Sequence, residues 1–524
     1  MGSPGEVRVS ELVACLALAT DLGMGQPLDH GLRTCLLALG VGQALGLTDN
    51  ELADVYSITL LRFVGCNAHA HQDALETGDE LAFRAGVAPI LSGGTPEMLR
   101  FTITDLGKGW PPATRARMIA GALAAGSKGA RETIAATCEA AQMVAARLGM
   151  GVGVVSALGA TFERHDGKGF PHGTAGEEIP IAAHVAMVAR DFEVLHRLGG
   201  RDLAVDLAAR RRGRAYAPKV VDAFLAHGFQ LLDDARSESS WDAVIAADPS
   251  PRVLRGDGFD DALKCLGDFA DIKSRYTHGY SRAVAELATQ AATASGLSAE
   301  ETAAVGAAAL VQELGMTGVS NSVLEKQGPL TEGEWERVRL HPYLTERILA
   351  RCEGLSSHGS VAAAHHERMD AGGYHRGLAG SQLPQSARLV AAAGAYVAMA
   401  SERPWRPAMA SREAAAELRD LATSGGFDAA AAEAVLAAAG EKGAPRRRTW
   451  PAGLTDREVE VLRLISQGRS NRQVASQLVI SPKTVGRHVE NIYAKAGIST
   501  RAGAAVFALH HGLAPPPGAM LEVS

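Results

Sequence analysis

The sequence predicts an all-α chain of two tandem helical units followed by a four-helix module. Three observations carry that prediction. Aromatic residues make up only 5% of 524, while Gly (58) and Ala are plentiful, which favours closely packed helices over sheets built on aromatic and β-branched residues. A pattern that recurs at fixed offsets divides the first 440 residues into two copies. Helix-capping signals then punctuate residues 454–512. The length suits about three domains at ~100–200 residues each.

The repeat comes first. LGLTDNELA at 45–53 matches SGLSAEETA at 295–303, and LLRFVG at 60–65 matches LVQELG at 310–315, both at an offset of 250. ERHDGKGFPHGTAGEEIP at 163–180 matches ERMDAGGYHRGLAGSQLP at 367–384 at an offset of 204, so the first copy carries 46 extra residues between its blocks. Two collinear blocks indicate a duplication, each copy long enough for its own core. The expected layout is a first unit at 1–231, a polar linker at 232–261, a second unit at 262–440, a basic linker at 441–453, the module at 454–512 and a tail at 513–524.

Within the second unit, Val284, Leu287, Ala288 and Ala291 recur at helical spacing, and Ser298 stands as the cap of the next helix. Residues 324–330 read as a loop, after which Thr331 and Glu334 form a capping box. A helix should end near His365 and run into the Gly-rich turn at 371–373.

No window of ~18 residues is apolar throughout, so no membrane span is expected. The six cysteines are scattered, and the start MGSPGEVRVS lacks the features of a signal peptide. A cytoplasmic protein with reduced thiols is the expectation. The formal net charge of -6 is uneven. Residues 446–512 carry eleven Lys and Arg against four acids, a net of +7, which leaves -13 to the remainder. A basic module on an acidic body points to a polyanion partner for the module.

The module has clear punctuation. Thr455 to Glu458 and Ser470 to Gln473 are capping boxes, Ser481-Pro482 opens a third helix, and Gly497 stops it. In that third helix Val485, Val489 and Ile492 form the buried stripe. Lys483 and Arg487 lie opposite, where long cations can reach guanine edges or phosphates. Thr484, His488, Asn491 and Lys495 follow one flank, and Arg501 opens the next helix. One apolar stripe and a polar outer face suit insertion into a major groove. Residues 454–501 resemble the LuxR/NarL-type helix-turn-helix over its whole length. The resemblance implies recognition of double-stranded DNA by the third helix and pairing of subunits through the fourth. Val506 and Leu509 are the candidates for that dimer face. Gly486 replaces the longer side chain usual at its position.

The repeated unit resembles the HD-GYP family, a helical branch of the HD-domain metal-dependent phosphohydrolases. The specific residues are Leu330 to Pro342 and the run from His365 to Tyr374. The resemblance implies a di- or tri-metal site that cleaves cyclic di-GMP. Carried over residue by residue, the pattern thins. In the second unit the early His falls on Tyr280, the His-Asp pair on Gln312-Glu313, the Lys on Met316 and the late Asp on Gly394. In the first unit His30 survives, the His-Asp pair is Arg62-Phe63, the His-His pair is Thr161-Phe162, and Arg190 takes the late Asp position.

Arg62 puts a cation where a cation should bind, and Phe63 offers no lone pair. The first unit should therefore assemble no metal site. The second keeps Glu313, His341, His365 and His366, enough for at most one divalent metal. Blander roles stand beside this: His365 and His366 as satisfied polar groups, and Glu163–Pro171 as a turn whose Gly167 and Gly169 allow positive φ. His69 and His71, two residues apart, face different sides of a helix.

The sequence thus favours a DNA-binding transcriptional regulator, a homodimer, whose degenerate HD-GYP-like body senses a nucleotide or other phosphate-bearing effector. The alternatives are a metal-dependent phosphohydrolase tethered to DNA and a body that only dimerises the module.

Overall fold

In a computed structural model, described for residues 5–234, 239–440, 450–511 and 513, the chain is helical almost throughout. The arginines expected to make the second linker basic, 446–448, lie outside the described residues. The chain forms two compact units, Glu6–Leu254 and one from Arg255 onward that includes the C-terminal module. Among the described residues no helix is long and apolar enough to cross a membrane, and none of the six cysteines is in a disulfide.

The duplication is visible element by element. His30–Ala44 and Tyr280–Ala294 are each 15 residues, and Asp49–Leu61 and Ala299–Val311 are each 13. Thr48 with Glu51 and Ser298 with Glu301 close the same reciprocal capping box at the same point. In the first unit His30–Ala44 packs on Asp49–Leu61 and on Ile181–Arg211. In the second, Tyr280–Ala294 packs on Ala299–Val311 and Gln385–Met399. Ala288, Ala291, Ala292 and Ala308 are fully buried, so small side chains let these helices approach closely. The first unit's extra residues form the short helices Ala70–Thr77, Glu80–Val87 and Thr95–Thr104, and the start of Pro112–Arg147, which is interrupted at Gly126.

The boundary between the two units, Leu254 to Arg255, falls inside the expected linker at 232–261, and described residues of that stretch are structured. Ser240–Ala246 is a helix whose Trp241 is 7% exposed and whose Val244 is fully buried, and it packs on Val9–Gly23 and His30–Ala44. Val253–Arg255 pairs with Glu6–Arg8, and Asp257–Asp271 is already helical. Two apolar anchors within a polar stretch were enough to dock it.

The module contains the expected helices: Asp456–Ser466, Asn471–Gln477, Pro482–Ala496 and Arg501–His510. Both capping boxes form, Ser481 accepts from the Thr484 amide, and Gly497 ends the third helix at φ 68°.

Candidate functional site

The second unit gathers Glu313, His341, His365 and His366 so that one ligand atom from each lies within 4.8 Å of the others. Local rules place them. Glu313 follows the helix Ala299–Val311 and leads into the tight turn Leu314–Gly318. Gly315 in that turn lies against the first turn of His341–Leu349, where a Cβ would sit 2.1 Å from the His341 carbonyl oxygen. The Thr345 hydroxyl donates to the Gln312 carbonyl (3.0 Å) and accepts from the Gly315 amide (2.9 Å), which locks the two segments together. His365 and His366 follow the end of Ser356–Ala363.

The hydrogen bonds fix the imidazoles. His341 Nδ1 donates to the Val338 carbonyl and His365 Nδ1 to the Ala362 carbonyl, both at 2.6 Å. A carbonyl can only accept, so each Nδ1 carries the hydrogen and each ring turns its Nε2 inward. Those two Nε2 atoms are 3.0 Å apart, with Glu313 at 3.4 Å from one and 3.7 Å from the other. A proton on one of the facing nitrogens, or a metal ion in its place, satisfies this arrangement. Burial pushes His341 down to about 4, only partly countered by Glu313, and holds His366 well below its usual value. Burial would raise Glu313, but the His365 hydrogen bond and the nearby positive charge carry it down to about 2. Three imidazoles, a carboxylate and pinned Nδ1 atoms suit one borderline transition-metal ion.

Positions that would serve further metals are filled otherwise. The Tyr280 hydroxyl donates to the Gly394 carbonyl (3.1 Å), with Arg403 5.3 Å from the Tyr280 ring centroid. The phenol thus occupies room that a smaller imidazole and a late carboxylate would share. The Gln312 amide is fully buried with neither polar atom hydrogen-bonded.

The first unit's counterpart is different. Arg62 is 2% exposed, its guanidinium 5.0 Å from the Phe63 centroid and 5.1 Å from that of Phe162. His30 Nδ1 donates to Glu193 at 2.5 Å, so the surviving early His is held by a carboxylate. No metal-ligand group forms there among the described residues. The shared motif is a loop clamp in both units. Glu163 accepts from the His172 and Gly173 amides, and Glu367 from those of Arg376 and Leu378. Arg164 pairs with Asp166 and Arg368 with Asp370. Gly167 does have positive φ, but Gly169 is required for space: its Cβ would lie 2.5 Å from the Glu163 Cα. His69 bonds Asp73.

In the module, Lys483, Thr484, Arg487 and Asn491 are exposed along Pro482–Ala496, and His488 is half-buried. Lys495 and Arg501 are also exposed and hold partners within the module. Lys495 Nζ binds the Glu458 carboxylate (2.6 Å) and the Gly453 carbonyl (3.1 Å). Arg501 donates to the Arg469 carbonyl (2.8 Å) and the Asn471 side chain. Both cations knit the module together, since the acid and carbonyls at the neighbouring caps lie within their reach. Leu509 is 1% exposed inside the module and Val506 is half-buried, so the expected dimer face is mostly core. Glu193 and Arg403 carried no sequence signal; each meets a partner more than 80 residues away.

Residues 264–431 match the HD domain family, and residues 452–508 match the bacterial regulatory proteins of the luxR family. The chain is similar to 3'3'-cGAMP-specific phosphodiesterase 3 of Vibrio cholerae, 30% identical over 413 residues that cover 76% of this chain and 88% of that one. It is similar to a cyclic di-GMP phosphodiesterase of Thermotoga maritima, 31% identical over 163 residues, 31% of this chain and 44% of that one. The fold resembles the crystal structure of a cyclic GMP-AMP specific phosphodiesterase in V. cholerae, with a TM-score of 0.57, 24% identity, and coverage of 84% of this chain and 99% of that one. Helical architecture, duplicated motif and sequence similarity agree: the chain belongs to the HD-domain family of HD-GYP-type phosphodiesterases and carries a C-terminal luxR-family helix-turn-helix.

Proposed function

We propose that this chain is a sequence-specific DNA-binding transcriptional regulator whose HD-type body senses a nucleotide or other phosphate-bearing effector. The observation that carries it is the helix Pro482–Ala496. Its Lys483, Arg487 and Asn491 stand exposed opposite a core stripe of Val485 and Ile492, on a fully capped four-helix module. Lys483 and Arg487 can donate to guanine O6/N7 and to phosphates, and Asn491 can pair with an adenine edge. The module reads a two-fold site as a homodimer. Gel shifts with the full chain test this. Affinity should fall steeply with salt, and Arg487→Ala should relax base preference at a cost of ~1–3 kcal/mol. Absence of DNA binding at low salt contradicts it.

The metal-ligand group supports a second reading, hydrolysis of a cyclic dinucleotide like that named for the V. cholerae relative. Glu313, His341, His365 and His366 would hold the ion, which when bound supplies Lewis-acid polarisation of a phosphoryl oxygen and a more acidic water. Burial around His341 and His366 excludes water and favours their neutral forms. Turnover of 3'3'-cGAMP or cyclic di-GMP with Mn(II) or Fe(II), lost in His365→Ala, establishes this reading; no turnover in wild type removes it.

A further inference from the structure

The pocket of the first unit brings unpartnered donors together. It is lined by Thr20 and Asp21 from Val9–Gly23, His30 from the next helix, Arg62 at the end of Asp49–Leu61, and Arg190 from Ile181–Arg211. It is a small cleft that opens to solvent. Arg62 and Arg190 are 2% and 3% exposed, and Thr20 is 6% exposed. Arg62 Nε and Nη1, Arg190 Nε and the Thr20 hydroxyl all lack hydrogen-bond partners. Buried donors of this kind are nearly always satisfied, and four of them on one small cavity call for an acceptor.

The surrounding anions are already committed. Asp191 is bound by Arg190, Arg211 and Tyr216. Glu193 is bound by His30 and Arg197. Asp21 accepts from the Gly31 amide with both oxygens, and burial pushes its carboxyl well up. The Phe63 and Phe162 rings hold the Arg62 guanidinium in place but supply no lone pair to its N–H groups.

We propose that the first unit's pocket binds a phosphoryl group, with Arg62, Arg190 and Thr20 as its donors. Three donor residues on three helical segments match a tetrahedral group with several free oxygens better than a planar carboxylate with two, and guanidinium groups suit phosphate. The pocket that would hold cations in the family fold has become an anion pocket in this copy. This is separate from the DNA-binding reading and from hydrolysis in the second unit.

The test is calorimetric titration of the full chain with sodium phosphate against sodium chloride at equal ionic strength. Wild type, Arg62→Met and Arg62→Lys are compared, each also in a His365→Ala background so that the second unit contributes nothing. Wild type should bind, Arg62→Met should bind at least about tenfold more weakly, and Arg62→Lys should fall between. Circular dichroism confirms that each variant is folded. Phosphate affinity equal in wild type and Arg62→Met, or no heat in wild type at about 10 mM phosphate, which means water alone fills the pocket, overturns the proposal. AMP and GMP form the second arm: either binding tenfold tighter than inorganic phosphate marks a nucleotide phosphomonoester as the source, and equal affinities mark free phosphate.

Discussion

Two pockets occupy equivalent places in two copies of one fold, and they carry opposite chemistry. In the second unit a carboxylate and three imidazoles bring one ligand atom each within 4.8 Å of the others. In the first, two arginines and a threonine with unpartnered buried donors line one cavity. The scaffold around them is nearly unchanged. The capping boxes, the Glu163 and Glu367 clamps and the turn glycines Gly65 and Gly315 all recur. Backbone packing tolerates few substitutes, whereas the lining of a cavity can invert its charge without disturbing the helices that form it.

The comparison can be broken first at the scaffold. A Cβ on Gly65 would lie 1.9 Å from the Thr137 carbonyl oxygen, and on Gly315 2.1 Å from that of His341. Gly65→Ala and Gly315→Ala should each destabilise their own unit by ~3 kcal/mol or more, read by denaturant unfolding. A cost under ~1 kcal/mol at either would show that the close approach is not required.

Metal comes next. Mn(II) or Zn(II) at about 100 times its dissociation constant should stabilise the second unit by ~2.7 kcal/mol, and His341→Ala should abolish that gain. The first unit should not respond.

Acid gives an effect on the order of 2 kcal/mol. His341 is held near 4 by burial, below its unfolded value of 6.5. As pH falls through 6.5 the unfolded chain takes up the proton first, so stability drops between about 6.5 and 4 and then levels. His341→Asn should flatten the stability profile of the metal-free protein in that window; an unchanged slope rejects the assignment.

The smallest effect tests the anion pocket. Without phosphate, Arg62→Met removes a buried cation whose N–H groups lack partners, and should leave the first unit equally stable or up to ~2 kcal/mol more stable. Strong destabilisation would mean that the contacts to Phe63 and Phe162 outweigh the desolvation.

Much of this was legible in the sequence because it rests on local rules. Each predicted capping box formed, and Val284, Leu287, Ala288 and Ala291 are buried as their spacing required. The grouping of Glu313 with three histidines followed from the motif positions. The rest depends on distant partners. The bond from Lys495 to Glu458, 37 residues away, has no trace in helical spacing. Leu509 reads as a dimer residue until its helix is packed on Asp456–Ser466. Tyr280 reads as a lost ligand, but its hydroxyl reaches Gly394, 114 residues on. The polar stretch at 232–261 hid Trp241, whose burial only the tertiary fold reveals.

The division of labour between the copies is tested most directly by metal content. The full chain, loaded with Mn(II) or Fe(II) and freed of excess, should carry one ion per molecule, and His365→Ala should carry none. Two or more ions in wild type, or an ion retained in His365→Ala, would contradict the account.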